Sequence, residues 1–217
     1  MGVGPAVLFP ETVALDGEIG EVGQVGQHVR LGDDGAFEAE DLAAMSGAQL
    51  DAMIAATPIV LDLDGNGVTT VSSSAGVMFD LNATGNASRV GWASAQDGLL
   101  VMDVNGDGII NNGTELFGAA TLLDNGQRAG NGYAAMRALD SNHDFKLTAA
   151  DTHFKDLKVW VDANGNGISD AGELKDLSSL GIIELDLNAH ASSATDNGNL
   201  LGLVSSYKTA DGATHAM

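Results

Sequence analysis

The sequence predicts an α+β fold in which short strands and short helices are joined by acidic, glycine-bearing loops. Three observations carry this. Apolar residues at Ile59, Leu61 and Leu63, and again at Ile183, Leu185 and Leu187, have the two-residue period of strands. Apolar residues at Tyr133, Met136 and Leu139 fall on one helical face, as do Ala150, Phe154 and Leu157, then Leu174, Leu177 and Leu180. The two kinds of element are mixed along the chain instead of alternating regularly, which favours α+β over a parallel α/β sheet.

In chain order, a composition change near Pro58 separates residues 1–57 from residues 58–217. The first segment is read as a linker or the tail of a preceding domain. It is glycine-rich from Glu11 to Arg30, with short helices expected at Ala39 to Met45 and Ala48 to Ala56 and Ser46 as a candidate N-cap. Met1 to Glu11 has no basic n-region and only a short apolar run, unlike a Sec signal peptide. In the second segment, strands are expected from Ile59 to Leu63, Leu99 to Met102, Val159 to Val161, Ile183 to Leu187 and Leu200 to Tyr207. The first three run straight into an acidic loop.

Those three loops obey one rule, Asp-x-[Asp/Asn]-x-[Asp/Asn]-Gly, beginning at Asp62, Asp103 and Asp162. At this composition chance would supply roughly 0.08 such matches, so the repetition is specific. Oxygen ligands at positions 1, 3 and 5 converge on a cation, and glycine at position 6 turns the backbone so that the position 7 carbonyl joins them: the EF-hand calcium loop. The most complete is Asp162, Asn164, Asn166, the Ile168 carbonyl, Asp170 and Glu173, with the glutamate at position 12 and a helix expected after it. Asp140, Asn142, Asp144, the Lys146 carbonyl, Thr148 and Asp151 form a second set, flanked by expected helices on both sides. There Phe145 replaces the glycine, implying a strained or altered turn. Asp103, Asn105, Asp107, the Ile109 carbonyl, Asn111 and Glu115 form a third, its last carboxylate one residue late. In the first loop, Asp62, Asp64, Asn66 and the Val68 carbonyl meet only Ser73 at position 12, so closure must come from elsewhere: Asp80, Asp97 or water. Asp80 to Gly85 is a degenerate copy, equally readable as a plain turn.

Thirty acidic against nine basic residues give a formal charge of -21, a self-repulsion that bound Ca2+ would offset. That charge leaves no basic patch for nucleic acid. No apolar stretch reaches the 18 residues of a membrane span. Cysteine is absent, which removes disulfides and thiol chemistry. The five histidines lack metal-ligand spacing and the serines lack a Gly-x-Ser-x-Gly elbow. Trp92 and Trp160 read as core residues.

The strings Pro58 to Val68, Gly98 to Ile110, Glu115-Leu-Phe-Gly118, Leu139-Asp-Ser-Asn142 and Val159 to Ile168 together resemble the calcium-dependent self-processing module of RTX exoproteins, the FrpC-like type, over about residues 58–211. The resemblance implies a part of a larger RTX-type exoprotein, exported by a type I system and folded by extracellular calcium. It also implies, in active members, autocatalytic cleavage of an Asp-Pro bond at the module's start. Here the corresponding bond is Thr57-Pro58, and the other prolines follow Gly4 and Phe9. Threonine has no carboxylate to attack its own carbonyl carbon, so a non-cleaving calcium-binding module is expected. The RTX nonapeptide is missing, as is an obvious C-terminal secretion signal, consistent with a fragment of a longer exoprotein. The alternatives are an active calcium-triggered autoprotease and transpeptidase module, which predicts fragments near residue 57, and an intracellular EF-hand calcium sensor, which predicts a methionine-rich groove.

Overall fold

The computed structural model describes residues 58–217, and the helices expected before Pro58 lie outside them. The described residues form fourteen short strands: β1 (Val60–Leu61), β2 (Thr70–Val71), β3 (Val77–Phe79), β4 (Ser88–Val90), β5 (Trp92–Ala93), β6 (Gly98–Val101), β7 (Lys146–Thr148), β8 (Lys158–Trp160), β9 (Leu174–Asp176), β10 (Ile182–Asp186), β11 (His190–Asp196), β12 (Asn199–Val204), β13 (Ser206–Thr209) and β14 (Thr214–Ala216). Among the described residues the one α-helix, α1 (Gly132–Arg137), lies between β6 and β7. The fold is therefore mostly β, which corrects the α+β expectation.

The reason lies in the two segments read as helices. Leu174, Leu177 and Leu180 divide between β9 and a 3-10 turn, Leu177–Leu180. A 3-10 turn repeats every three residues, so it brings Leu177 and Leu180 to one side as a helix would. Ala150, Phe154 and Leu157 likewise belong to a turn and the 3-10 segment Phe154–Asp156, with Ala150 exposed. Seven- or eight-residue runs broken by Asp, Thr and Ser cannot repay helix nucleation on their own. Only Tyr133 and Met136 keep their helix, where Asn131 caps the N-terminus by accepting the Ala134 N–H at 2.8 Å. Leu139 lies beyond its end.

Two antiparallel four-stranded sheets organise the chain, ordered β1-β6-β8-β9 and β14-β13-β10-β7, with three two-stranded ribbons around them. The middle strands of the first sheet, β6 and β8, are covered on both faces. Leu100 and Val159 point into one cluster with Leu61, Phe117, Met136, Leu147, Leu185 and Tyr207. Their neighbours Leu99, Val101 and Trp160 point into the other, with Val77, Phe79, Trp92 and Ile110. The two-residue side-chain period of a strand thus explains why Gly98–Val101 is apolar throughout. Phe79, Trp92 and Trp160 pack with ring centroids 5.1 to 5.8 Å apart, so both tryptophans are core residues as expected. The strand expected from Leu200 to Tyr207 is split at Ser205 between β12 and β13, and β12 pairs with the unforeseen β11.

Candidate metal centres in the loops

Each acidic loop leaves the end of a strand or helix and folds around its first aspartate. Asp62 Oδ1 accepts the Gly65 N–H at 2.8 Å, and its Oδ2 accepts Gly67 N–H at 3.0 Å. Asp103 takes the N–H groups of Gly106 and Gly108, both at 2.8 Å. Asp140 takes Phe145 N–H at 2.9 Å, and Asp162 takes Gly167 N–H at 2.8 Å. The position 6 residue is left-handed in every case, with φ of 96° at Gly67, 82° at Gly108, 64° at Phe145 and 73° at Gly167. Phe145 therefore keeps the common turn and bears the strain that glycine avoids. The degenerate Asp80 loop makes the same turn, with Gly85 N–H on Asp80 Oδ2 at 2.6 Å, but no second carboxylate closes it among the described residues.

Closure repeats as well. Glu173 accepts the N–H groups of Ala163 and Asp170, positions 2 and 9, each at 3.1 Å. Asp151 accepts those of Ser141 at 2.9 Å and Thr148 at 3.0 Å. Glu115, one residue late, still accepts Val104 N–H at 3.2 Å and Asn111 N–H at 2.8 Å, so the added residue is absorbed without loss of closure. In the first loop the closing group is Asp97. Its carboxylate accepts Leu63 N–H at 3.2 Å and Thr69 N–H at 2.7 Å. The register explains this: Leu61, at the end of β1, pairs with Gly98, at the start of β6, which sets Asp97 beside the loop. Asp62, Asp64 and Asp97 offer carboxylate oxygens within 4.8 Å of one another, with Asp62 and Asp97 buried, and this group could hold a metal.

The surroundings of the loops differ from expectation. The loop Asp162 to Glu173 joins β8 to β9 in a hairpin, with no helix after it. The loop Asp140 to Asp151 has α1 before it, but β7 is built into its own second half, followed by a turn. These are EF-hand-like loops on a β scaffold. The strand β7 pairs Lys146 and Thr148, two of the residues read as ligands, with Asp186 and Glu184 of β10.

The electrostatics leave the loop acids without cationic partners. Among the described residues the ion pairs are Lys146 and Lys208 with Glu184, Lys158 with Asp176, and His153 with Asp156, none of which uses a loop carboxylate. Arg89, Arg128 and Arg137 instead donate to the carbonyls of Gly76, Asn82 and Leu187. Backbone N–H groups are therefore the principal charge-stabilising donors to these acids. Burial pushes the Asp151 carboxyl upward, but hydrogen bonds from Thr148 and Ser141 outweigh it and hold it below the usual range. The amides of Asn164 and Asn166 lower Asp170. The donor set, carboxylates, amide oxygens and backbone carbonyls without sulfur, suits a hard cation of the calcium or magnesium kind. His143 lies at position 4 of the loop Asp140 to Asp151 and is exposed, His153 and His190 are exposed, and His215 stacks on Tyr207 with centroids 5.1 Å apart.

Sequence reasoning named Asp97 only as one of three ways to close the first loop. It missed Tyr207, whose hydroxyl donates to the Asp62 carbonyl, and the Thr70, Asp196 and Asn199 network that ties β2 to the β11–β12 turn. Long-range pairing, which no local pattern signals, brings these residues together.

The SPM domain family matches residues 59–217. The iron-regulated protein FrpA of Neisseria meningitidis serogroup C is 49% identical over 163 residues, which are 74% of this chain and 15% of that protein.

Proposed function

We propose, because the chain belongs to the SPM domain family, the self-processing modules, that residues 58–217 are a calcium-binding folding module of a larger secreted protein and that this module does not cleave itself. The observation that carries the calcium reading is the repeated closure: four loops in which a second carboxylate grips the N–H of position 2 and of position 8 or 9. Asp62, Asp64, Asn66, Asp97 and the Val68 carbonyl would hold one ion; the sets ending in Glu115, Asp151 and Glu173 would hold the others. Calcium supplies positive charge and accepts six to eight oxygen ligands in a tolerant geometry. The chain's own residues do the rest. Without compensation the carboxylates of each loop repel, and loop closure, which positions β1 against β6 and β8 against β9, is opposed. A low-calcium compartment therefore favours the open chain and an extracellular one the closed module, in keeping with type I export.

The non-cleaving reading rests on Thr57. Self-processing of an Asp-Pro bond needs the aspartate carboxylate to attack its own carbonyl carbon while the proline nitrogen leaves as an amine. Thr57 offers only a hydroxyl. Incubation with calcium followed by a denaturing gel should leave the chain intact, and a calcium-dependent fragment beginning at Pro58 would overturn this reading. Thr57→Asp restores the missing carboxylate and is expected to yield that fragment.

A further inference from the structure

The two loops that end in glutamate meet at their eighth positions. Ile110 N–H donates to Ser169 Oγ at 2.8 Å, a buried contact between residues 59 apart in the chain. Each partner sits between the position 7 carbonyl and the position 9 N–H of its own loop. On one side Asn111 N–H is gripped by Glu115, and on the other Asp170 N–H is gripped by Glu173. One hydrogen bond thus joins the two backbone segments that the closing glutamates hold. The seam has little room to adjust: a Cβ at Gly167 would fall 2.9 Å from Val77 Cβ, and Val77 packs in the same cluster as Ile110 and Trp160.

We propose that Ser169 is a positioning residue that couples the loop Asp103 to Glu115 with the loop Asp162 to Glu173, so that cation binding at either raises the affinity of the other. This rests on the calcium reading above. The closed form of one loop fixes the N–H or hydroxyl that the other must meet, and linkage makes the effect equal in both directions. Removing the hydroxyl leaves the Ile110 N–H buried without an acceptor and uncouples the two backbones.

The test is a double-mutant cycle on the full chain with calcium as the probe. The indole N–H of Trp160 donates to Glu173 Oε2 at 3.2 Å, so its NMR resonance reads the closing glutamate of the second loop directly. Asp103→Ala should raise the calcium midpoint read at Trp160 by about fivefold or more, the lower end of ordinary coupling. In the Ser169→Ala background the same substitution should shift it by less than about twofold, and Ser169→Thr, which keeps the hydroxyl, should behave as the parent. An undiminished shift in Ser169→Ala would overturn the coupling while leaving the calcium reading intact. A Trp160 resonance indifferent to calcium in the parent chain would overturn the calcium reading itself.

Discussion

Phe145 occupies a left-handed position with φ of 64° while its side chain is 54% exposed, so it bears backbone strain with little packing in return. Left-handed geometry costs an L-residue about 1 to 2 kcal/mol, and glycine loses part of that gain to unfolded-state entropy. Phe145→Gly should therefore stabilise the calcium-loaded protein by about 1 kcal/mol, read as a higher thermal midpoint. A lower midpoint would mean that the ring contributes more than its exposure suggests. Asp97 offers the opposite case, a buried carboxylate whose removal orphans the N–H groups of Leu63 and Thr69. Asp97→Ala should destabilise by about 2 kcal/mol or more, and Asp162→Ala or Glu173→Ala should weaken cooperative folding similarly. Asp80→Ala should matter less, because its loop lacks a second carboxylate; equal losses at all four positions would contradict this ranking. The turn and closing carboxylate of three of the four loops were legible in the sequence because they are local, a run of about twelve residues with one rule. Asp97 and Ser169 were not singled out, because their roles arise only when segments 34 and 59 residues apart are brought together.

Strand ends set the loops, and the sequence patterns located those ends better than they identified the elements beyond each loop. Ile59 to Leu63, Leu99 to Met102 and Val159 to Val161 all contain a real strand leading to its loop. The helices read from Ala150 to Leu157 and Leu174 to Leu180 failed: the three-residue step from Leu177 to Leu180 fits a 3-10 turn as well as an α-helix, and from Ala150 only Phe154–Asp156 winds, as a 3-10 segment. The second sheet carries a pH signature of its own. Glu184 on β10 accepts hydrogen bonds from Lys208 on β13 and lies 3.0 Å from Lys146 on β7, and Lys208 chiefly holds its carboxyl below the usual range. A depressed carboxylate contributes stability that is present above its unfolded value of 4.5 and is lost as pH falls through the lower folded value. Glu184→Gln should flatten the acid limb of a stability-versus-pH curve, with a small amplitude because such pairs are partly solvated. An acid limb unchanged by the substitution would remove the sheet from the account. At the alkaline end, burial, aided by the charges of Asp62 and Asp97, raises the Tyr207 hydroxyl to about 12. A raised folded value means stability is complete below 10.0, the unfolded value, and is lost as pH rises toward 12. Tyr207→Phe should remove that loss, as followed by circular dichroism.

The whole molecule is an acidic chain whose described arginines serve carbonyls and whose loop acids are held chiefly by backbone N–H groups and neutral side-chain donors. Its formal charge of -21 and its four matching closures have the same physical reading, a fold completed by cations. Three of the four closed loops leave strands of the sheet β1-β6-β8-β9 and the fourth contains β7 of the other sheet, so closing a loop and pairing a strand go together. That connection makes the most direct measurement a calorimetric calcium titration of metal-free protein, with far-UV circular dichroism recorded on the same samples. The account predicts saturation at several ions per chain, at submillimolar to millimolar calcium, together with a rise in β structure. Absence of binding heat, with the same β signal before and after calcium, would contradict it.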